Sequence, residues 1–213
     1  MTSDPWWLEK IALLAGLFLI GVLGCARPLT YVDLAPMSFE DESAPINGTI
    51  ELCLSRKIRK RQWNVKDHPY KIELGGRAAQ NIEIMAKSAF REVLVSFDDT
   101  CGSATHYRWL DVRIVAANRD WDSLWATEQN TTITLSLDLF EDDGREIWST
   151  TTRGDVKSKP AWFTRRRTRG AKDFGQAISL ALQQGFEELI ASEEIRSAFR
   201  DTQLDSPDEV PSP

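Results

Sequence analysis

The residues able to do chemistry are few and scattered. Cys25, Cys53 and Cys101 are the only thiols, and His68 and His106 the only imidazoles, in 213 residues. The two histidines stand far apart in expected loops, and no expected helix carries a histidine pair at zinc-binding spacing. No Cys-x-x-Cys occurs, and neither a nucleophile elbow nor a phosphate-binding loop is present. Gly75-Gly76 is too short for a nucleotide fingerprint and reads as a close turn. Asp98, Asp99, Asp142 and Asp143 have the chemistry of metal ligands, but acids flanking expected strands read better as turn formers. The sequence therefore assigns no catalytic residue, no metal ligand and no cofactor.

Two basic clusters offer a different chemistry, the binding of anions. The first is Arg56-Lys57-Ile58-Arg59-Lys60-Arg61, with Trp63 just after it. The second is Arg165-Arg166-Arg167-Thr168-Arg169, preceded by Trp162-Phe163 and followed by Lys172. Guanidinium and ammonium groups suit phospholipid headgroups, lipopolysaccharide phosphates or the acidic face of another protein. The same residues also suit a solvated strand edge and a loop, where charge discourages sheet-to-sheet pairing. Eight tryptophans are present, and Trp121, Trp125 and Trp162 fall in expected loops. Aromatic residues with arginine are what protein interfaces concentrate, although Trp121 and Trp125 also suit the role of caps on an open end of the core. The formal net charge of -6 speaks against general nucleic-acid binding, which leaves a basic footprint.

The third candidate is Cys25, which follows an apolar run. Ile11 to Leu23 reads IALLAGLFLIGVL, 13 residues. A comfortable membrane span needs about 20, whereas this is the length of a signal-peptide hydrophobic region. Val22-Leu23-Gly24-Cys25 resembles the lipobox of bacterial lipoproteins. That resemblance implies cleavage after Gly24, a diacylglyceryl group on the Cys25 thiol and acylation of the new amino terminus. Gly24 supplies the small residue that the peptidase must accommodate, and two or more acyl chains make a stable anchor. Ala26, rather than Asp, follows the cysteine, which implies the outer membrane facing the periplasm. An uncleaved anchor, with Trp6 and Trp7 at the interface, is the other reading of the same residues. Cys53 and Cys101 then form an even remainder that an oxidising compartment permits to pair. The expected topology sets them far apart, and two small buried thiols are the alternative.

These residues need elements to hold them. Hydrophobic residues make up 42% of the chain and charged residues 27%, which suits one domain with a real core and no need of disulfides. Residues 26–47 contain Pro28, Pro36 and Pro45 and read as a tether of up to about 70 Å, with Asn47-Gly48 as the turn into the domain. A strand is predicted over Thr49–Ile58 and a helix over Leu74–Arg91, where Ala78, Ile82, Met85 and Ala89 recur at helical spacing. A short strand over Val93–Phe97 completes a βαβ unit with parallel strands. Tyr107–Asn118 and Thr132–Phe140 alternate as half-buried strands. Asp143-Gly144 predicts a two-residue hairpin into a strand over Glu146–Val156, pairing Leu139 with Trp148 and Phe140 with Ile147. A last helix is predicted over Asp173–Ala191, capped by Asp173, with a shorter helical piece around Ile195 and Phe199. The fold class is α+β: one mixed sheet of about five strands in the order β-α-β-β-β-β-α, with two helices on one face. The expected boundaries are a signal peptide over 1–24, the lipidated cysteine and tether over 25–47, the domain over 48–200 and a disordered acidic tail over 201–213.

That arrangement resembles small envelope lipoproteins, including auxiliary lipoproteins of ABC-type transporters and domains like the amino-terminal domain of TolB. The resemblance rests on the lipobox, the tether, a helix ending in Phe90-Arg91-Glu92-Val93, and the strand, Asp-Asp-Gly turn and return strand from Ile133 to Trp148. It implies a non-catalytic accessory subunit that docks on an envelope complex of transport, secretion or cell-wall machinery. Trp162, Arg165, Arg166, Arg167 and Arg169 are the candidate surface for a protein or anionic-lipid partner. The competing expectation is a lipid- or glycolipid-handling protein, which would need an apolar cavity between sheet and helices. An enzyme would need converging carboxylates of perturbed pKa in a cleft.

Overall fold

A computed structural model describes residues 29–32, 34, 45–54, 56–64, 71–97, 107–120, 128–159 and 166–204. In chain order the elements are β1 (Leu29–Tyr31), β2 (Ile46–Cys53), α1 (Arg56–Arg59), β3 (Gln62–Asn64), β4 (Lys71–Glu73), α2 (Gly75–Ala89), β5 (Phe90–Ser96), β6 (Arg108–Arg119), β7 (Gln129–Phe140), β8 (Glu146–Ser158), α3 (Arg166–Ala191) and α4 (Glu193–Leu204). The fold is α+β, and its main sheet has five strands in the order β5-β2-β6-β7-β8. β2 runs parallel to β5 and β6, while β6, β7 and β8 form an antiparallel meander.

Side-chain alternation decides which face is buried. Ile133, Leu135, Leu137 and Leu139 of β7, with Leu110 and Val112 of β6 and Ile50 and Leu52 of β2, are all at most 1% exposed. Ile82 and Met85 of α2 and Phe174, Ile178, Leu182 and Phe186 of α3 meet them in one apolar core. A period of 2 on the strands and 3.6 on the helices makes two such faces match. Helix α3 also approaches β8 closely. A Cβ added at Gly154 would lie 1.9 Å from the carbonyl oxygen of Ala177, and Thr152 Oγ1 donates to the Ala181 carbonyl at 2.8 Å.

Several elements differ from expectation. The first strand ends at Cys53, and Arg56–Arg59 forms one helical turn with Ile58 buried inward, so the first basic cluster is not a strand edge. Asn47-Gly48 lies inside β2, where the pairing register shifts between Ile46 and Thr49. Gly48 is there because the Phe199 ring presses on it: a Cβ would sit 2.2 Å from Phe199 Cδ1. The hairpin after β7 has Gly144 at φ +87°, with Gly144 N–H donating to Glu141 O and Glu141 N–H to Arg145 O. That geometry is a type I turn followed by a left-handed glycine rather than a two-residue loop. The bulge it introduces pairs Phe140 with Glu146 instead of Ile147, while Leu139 faces Trp148 as expected.

A second, smaller sheet was not anticipated. Its order is β1-β4-β3, with β1 parallel and β3 antiparallel to the central β4. β1 lies within the span read as a tether. Leu29, Thr30 and Tyr31 pair with Lys71, Ile72 and Glu73, and Val32 is completely buried. The chain is therefore already on the domain four residues after Cys25. α4 continues to Leu204, four residues past the expected domain end.

Candidate functional site

Among the described residues a concavity opens where β2, β5 and β6 begin and β7 ends. It is a cleft of about 650 Å³ lined by residues including Asn47, Arg91, Glu92, Tyr107, Arg108 and Phe199. Arg108 lies across its floor. Its Nε and Nη2 donate to the two carboxylate oxygens of Glu141 at 2.6 and 3.3 Å, and its guanidinium sits 4.7 Å from the centre of the Phe199 ring. A planar guanidinium satisfies both partners at once, fork to carboxylate and face to ring. Also lining it, Thr49 Oγ1 donates to Glu92 at 2.8 Å, and Arg91 Nη1 donates to the Asn47 side-chain oxygen at 3.0 Å. Tyr107, 44% exposed, stands at the rim. This arrangement can recognise a polar segment by charge and hydrogen bonding.

Two other polar clusters bear on chemistry. On the sheet face away from the helices, Asp111 and Asp138 are cross-strand neighbours. Asp138 is buried, accepts a hydrogen bond from Ser136 at 3.0 Å and is ion-paired with Arg113. Burial pushes the Asp111 carboxyl above its ordinary range, Arg113 pulls it back, and Asp138 pushes it further up. The hydrogen bond to Asp138 holds the Arg113 guanidinium charged. These carboxylates converge on the sheet face, away from the cleft.

The second cluster ties α3 to the sheet. Arg119, at the end of β6, and Asp173 are 7% and 3% exposed. Arg119 Nη1 donates to Asp173 at 2.7 Å and to Thr131 Oγ1 at 2.5 Å, and Nη2 donates to Gln129 at 3.1 Å. Ser158 Oγ donates to the same Asp173 oxygen at 2.7 Å. Asp173 was expected to cap α3. It lies instead seven residues inside the helix, because α3 starts at Arg166.

From Arg166 onward the second basic cluster is consequently helical rather than a loop. Arg166 and Arg167 stand in the first turn of α3, and Arg169 is exposed with its Nε 3.8 Å from Asp173. Trp162 and Arg165 lie outside the described residues, as do Gly24, Cys25, Cys101, His68, His106, Asp98, Asp99, Trp121 and Trp125. Cys53 is 1% exposed. It ends β2 opposite Ser96, the last residue of β5. Asp142 and Asp143 sit in the hairpin turn, where an Asp143 oxygen accepts the Arg145 N–H at 2.9 Å. Among the described residues no cluster of His, Cys, Asp and Glu could hold a metal ion. Sequence reasoning missed the cleft, whose walls come from the ends of four strands and from Phe199 in the middle of α4. Asn47-Gly48 and Asp142 carry local signals there, but both read as turns, and Arg91-Glu92 reads as a helix end.

The same fold occurs in a protein of the DUF330 family from Xanthomonas campestris. That structure aligns with a TM-score of 0.50 at 16% identity, over 83% of this chain and 99% of the other. Weaker matches include a minor lipoprotein from Acinetobacter baumannii (TM-score 0.43, 12% identity, 68% of this chain and 93% of that one). Rare lipoprotein B from Shewanella oneidensis is another (TM-score 0.36, 11% identity, 74% and 97%). No protein-family model and no curated protein matches the sequence.

Proposed function

We propose that this chain is a lipid-anchored protein of the bacterial envelope, acting as a non-catalytic accessory or assembly subunit of a transport, secretion or cell-wall complex. The lipid is carried by Cys25 after cleavage at Gly24, and the outer membrane, on its periplasmic side, is the expected address. ABC-type transport auxiliary lipoproteins are the nearest functional model, by the resemblance of the lipobox and the β7–β8 hairpin segment. The observation that carries the docking role is the cleft. Arg91, Arg108 and Tyr107 are the residue types that interfaces enrich, and they surround a recess polar enough to specify a partner.

The test is a cross-linked pull-down of the tagged native protein from whole membranes, beside Cys25→Ser, with mass spectrometry of both. A defined set of envelope proteins enriched with the acylated form and depleted from the mutant is the expected result. Enrichment of lipid without protein would replace the accessory role by a lipid-handling one. A native protein without acyl mass on Cys25, fractionating like the mutant, would remove the anchor.

A further inference from the structure

The two basic segments, separated by about a hundred residues of sequence, border the same small sheet. α1 runs through Lys60 and Arg61 directly into β3. The Trp63 ring of β3 lies 4.9 Å from the Phe174 ring of α3, and α3 packs on β1 and β4 as well. Lys57, Lys60 and Arg61 on one side, and Arg169 and Lys172 on the other, are exposed. No acidic side chain pairs with Lys57, Lys60, Arg61 or Lys172 among the described residues. In a chain of formal net charge -6 this is a local positive pole.

The chain enters the domain through this same sheet. β1 begins at Leu29 and is locked to β4, so a lipid on Cys25 is separated from the fold by four residue steps, at most about 14 Å fully extended. The leash is too short to lift the domain clear of the bilayer, so the small sheet, with β1 at one edge and the basic α1–β3 segment at the other, is held near the headgroup layer. Charge complementarity then selects the occupant.

We propose that Lys57, Lys60 and Arg61 of the α1–β3 segment, flanked by Arg169 and Lys172 of α3, form a membrane-facing surface that meets anionic phospholipid headgroups beside the lipid anchor. This rests on the anchoring of Cys25 and adds an orientation: the small sheet faces the bilayer.

The experiment uses the full protein purified from membranes with its acyl group. It is reconstituted into vesicles of phosphatidylcholine alone or of phosphatidylcholine with phosphatidylglycerol. Amide hydrogen exchange is read by mass spectrometry over 56–64 and 166–172. Each basic residue held at an anionic surface favours association about fivefold, so exchange over 56–64 slows by at least about that factor on the anionic vesicles. At 1 M salt, where the screening length is roughly 3 Å, the difference disappears. The variant Lys57→Glu/Lys60→Glu/Arg61→Glu, all at exposed positions, abolishes it at low salt too. Equal exchange on both vesicle types overturns the proposal. Protection seen only in native envelope membranes, and not on anionic vesicles, assigns the surface to an acidic protein and also overturns it. The intact mass is recorded in parallel. A protein without acyl mass on Cys25 would defeat the anchoring reading, whereas an acylated protein with uniform exchange defeats only the orientation.

Discussion

At the scale of single residues, the most consequential pair is Arg119 and Asp173. Two opposite charges at 2.7 Å, both almost without water, are stable together and costly apart. Replacing Arg119 with Met leaves the buried Asp173 carboxylate with the Ser158 hydroxyl and the exposed Arg169 3.8 Å away, so Arg119→Met is expected to lose about 3 kcal/mol of unfolding free energy. Urea titration followed by circular dichroism measures it. A loss under about 1 kcal/mol would mean that the Asp173 site rehydrates. Asp111 makes a different case, because its carboxyl titrates above the ordinary 3.8 through burial. Between 3.8 and that higher value the native state binds more protons than the unfolded chain, so this group's contribution falls as pH rises. Asp111→Asn removes that dependence. Relative to the parent, the variant gains stability on going from pH 4 to pH 7, and parallel stability curves for the two proteins would refute this.

At the scale of elements, the joint between β8 and α3 depends on a glycine, and the prediction is steric. With a Cβ at Gly154 1.9 Å from a backbone oxygen, no rotamer change relieves the clash. Gly154→Ala must move helix against strand, at about 1–3 kcal/mol or somewhat more. Gly144→Ala, in open space but at φ +87°, costs about 1–2 kcal/mol from the left-handed backbone alone. Denaturant midpoints rank the two, and the reverse order would show that the joint is looser than drawn. The same scale separates what sequence patterns could reveal from what they could not. The meander β6–β7–β8 and helix α2 were legible because each runs long enough to display its period several times. The three-residue strands β1, β3 and β4 display no period at all and exist only by pairing with one another. The start of α3 was misplaced because its first turn is basic and lacks acidic residues. That opposes the usual charge preference of a helix N-terminus, so Asp173 looked like the better beginning. The cleft could not be read because no pattern links the ends of β2, β5, β6 and β7 before they share a sheet.

At the scale of the whole molecule, the docked β1 shortens the expected tether to a leash. A 22-residue free segment would let the domain sample distances of tens of ångströms from the bilayer, diluting any weak contact with headgroups. If Cys25 carries the proposed lipid, the four residue steps to Leu29 keep the basic pole at high effective concentration against the surface. Inserting 15 Gly/Ser residues after Arg27 restores a flexible span of about 20 Å, without touching the lipobox, β1 or any charged residue. The insertion protein is therefore expected to keep its acyl mass and its fold. On anionic vesicles at moderate salt it should lose much of the exchange protection over 56–64, because each basic contact alone is weak. If protection survives the insertion undiminished, the basic surface binds strongly enough to need no leash, and the nearness of β1 to the anchor is incidental to it.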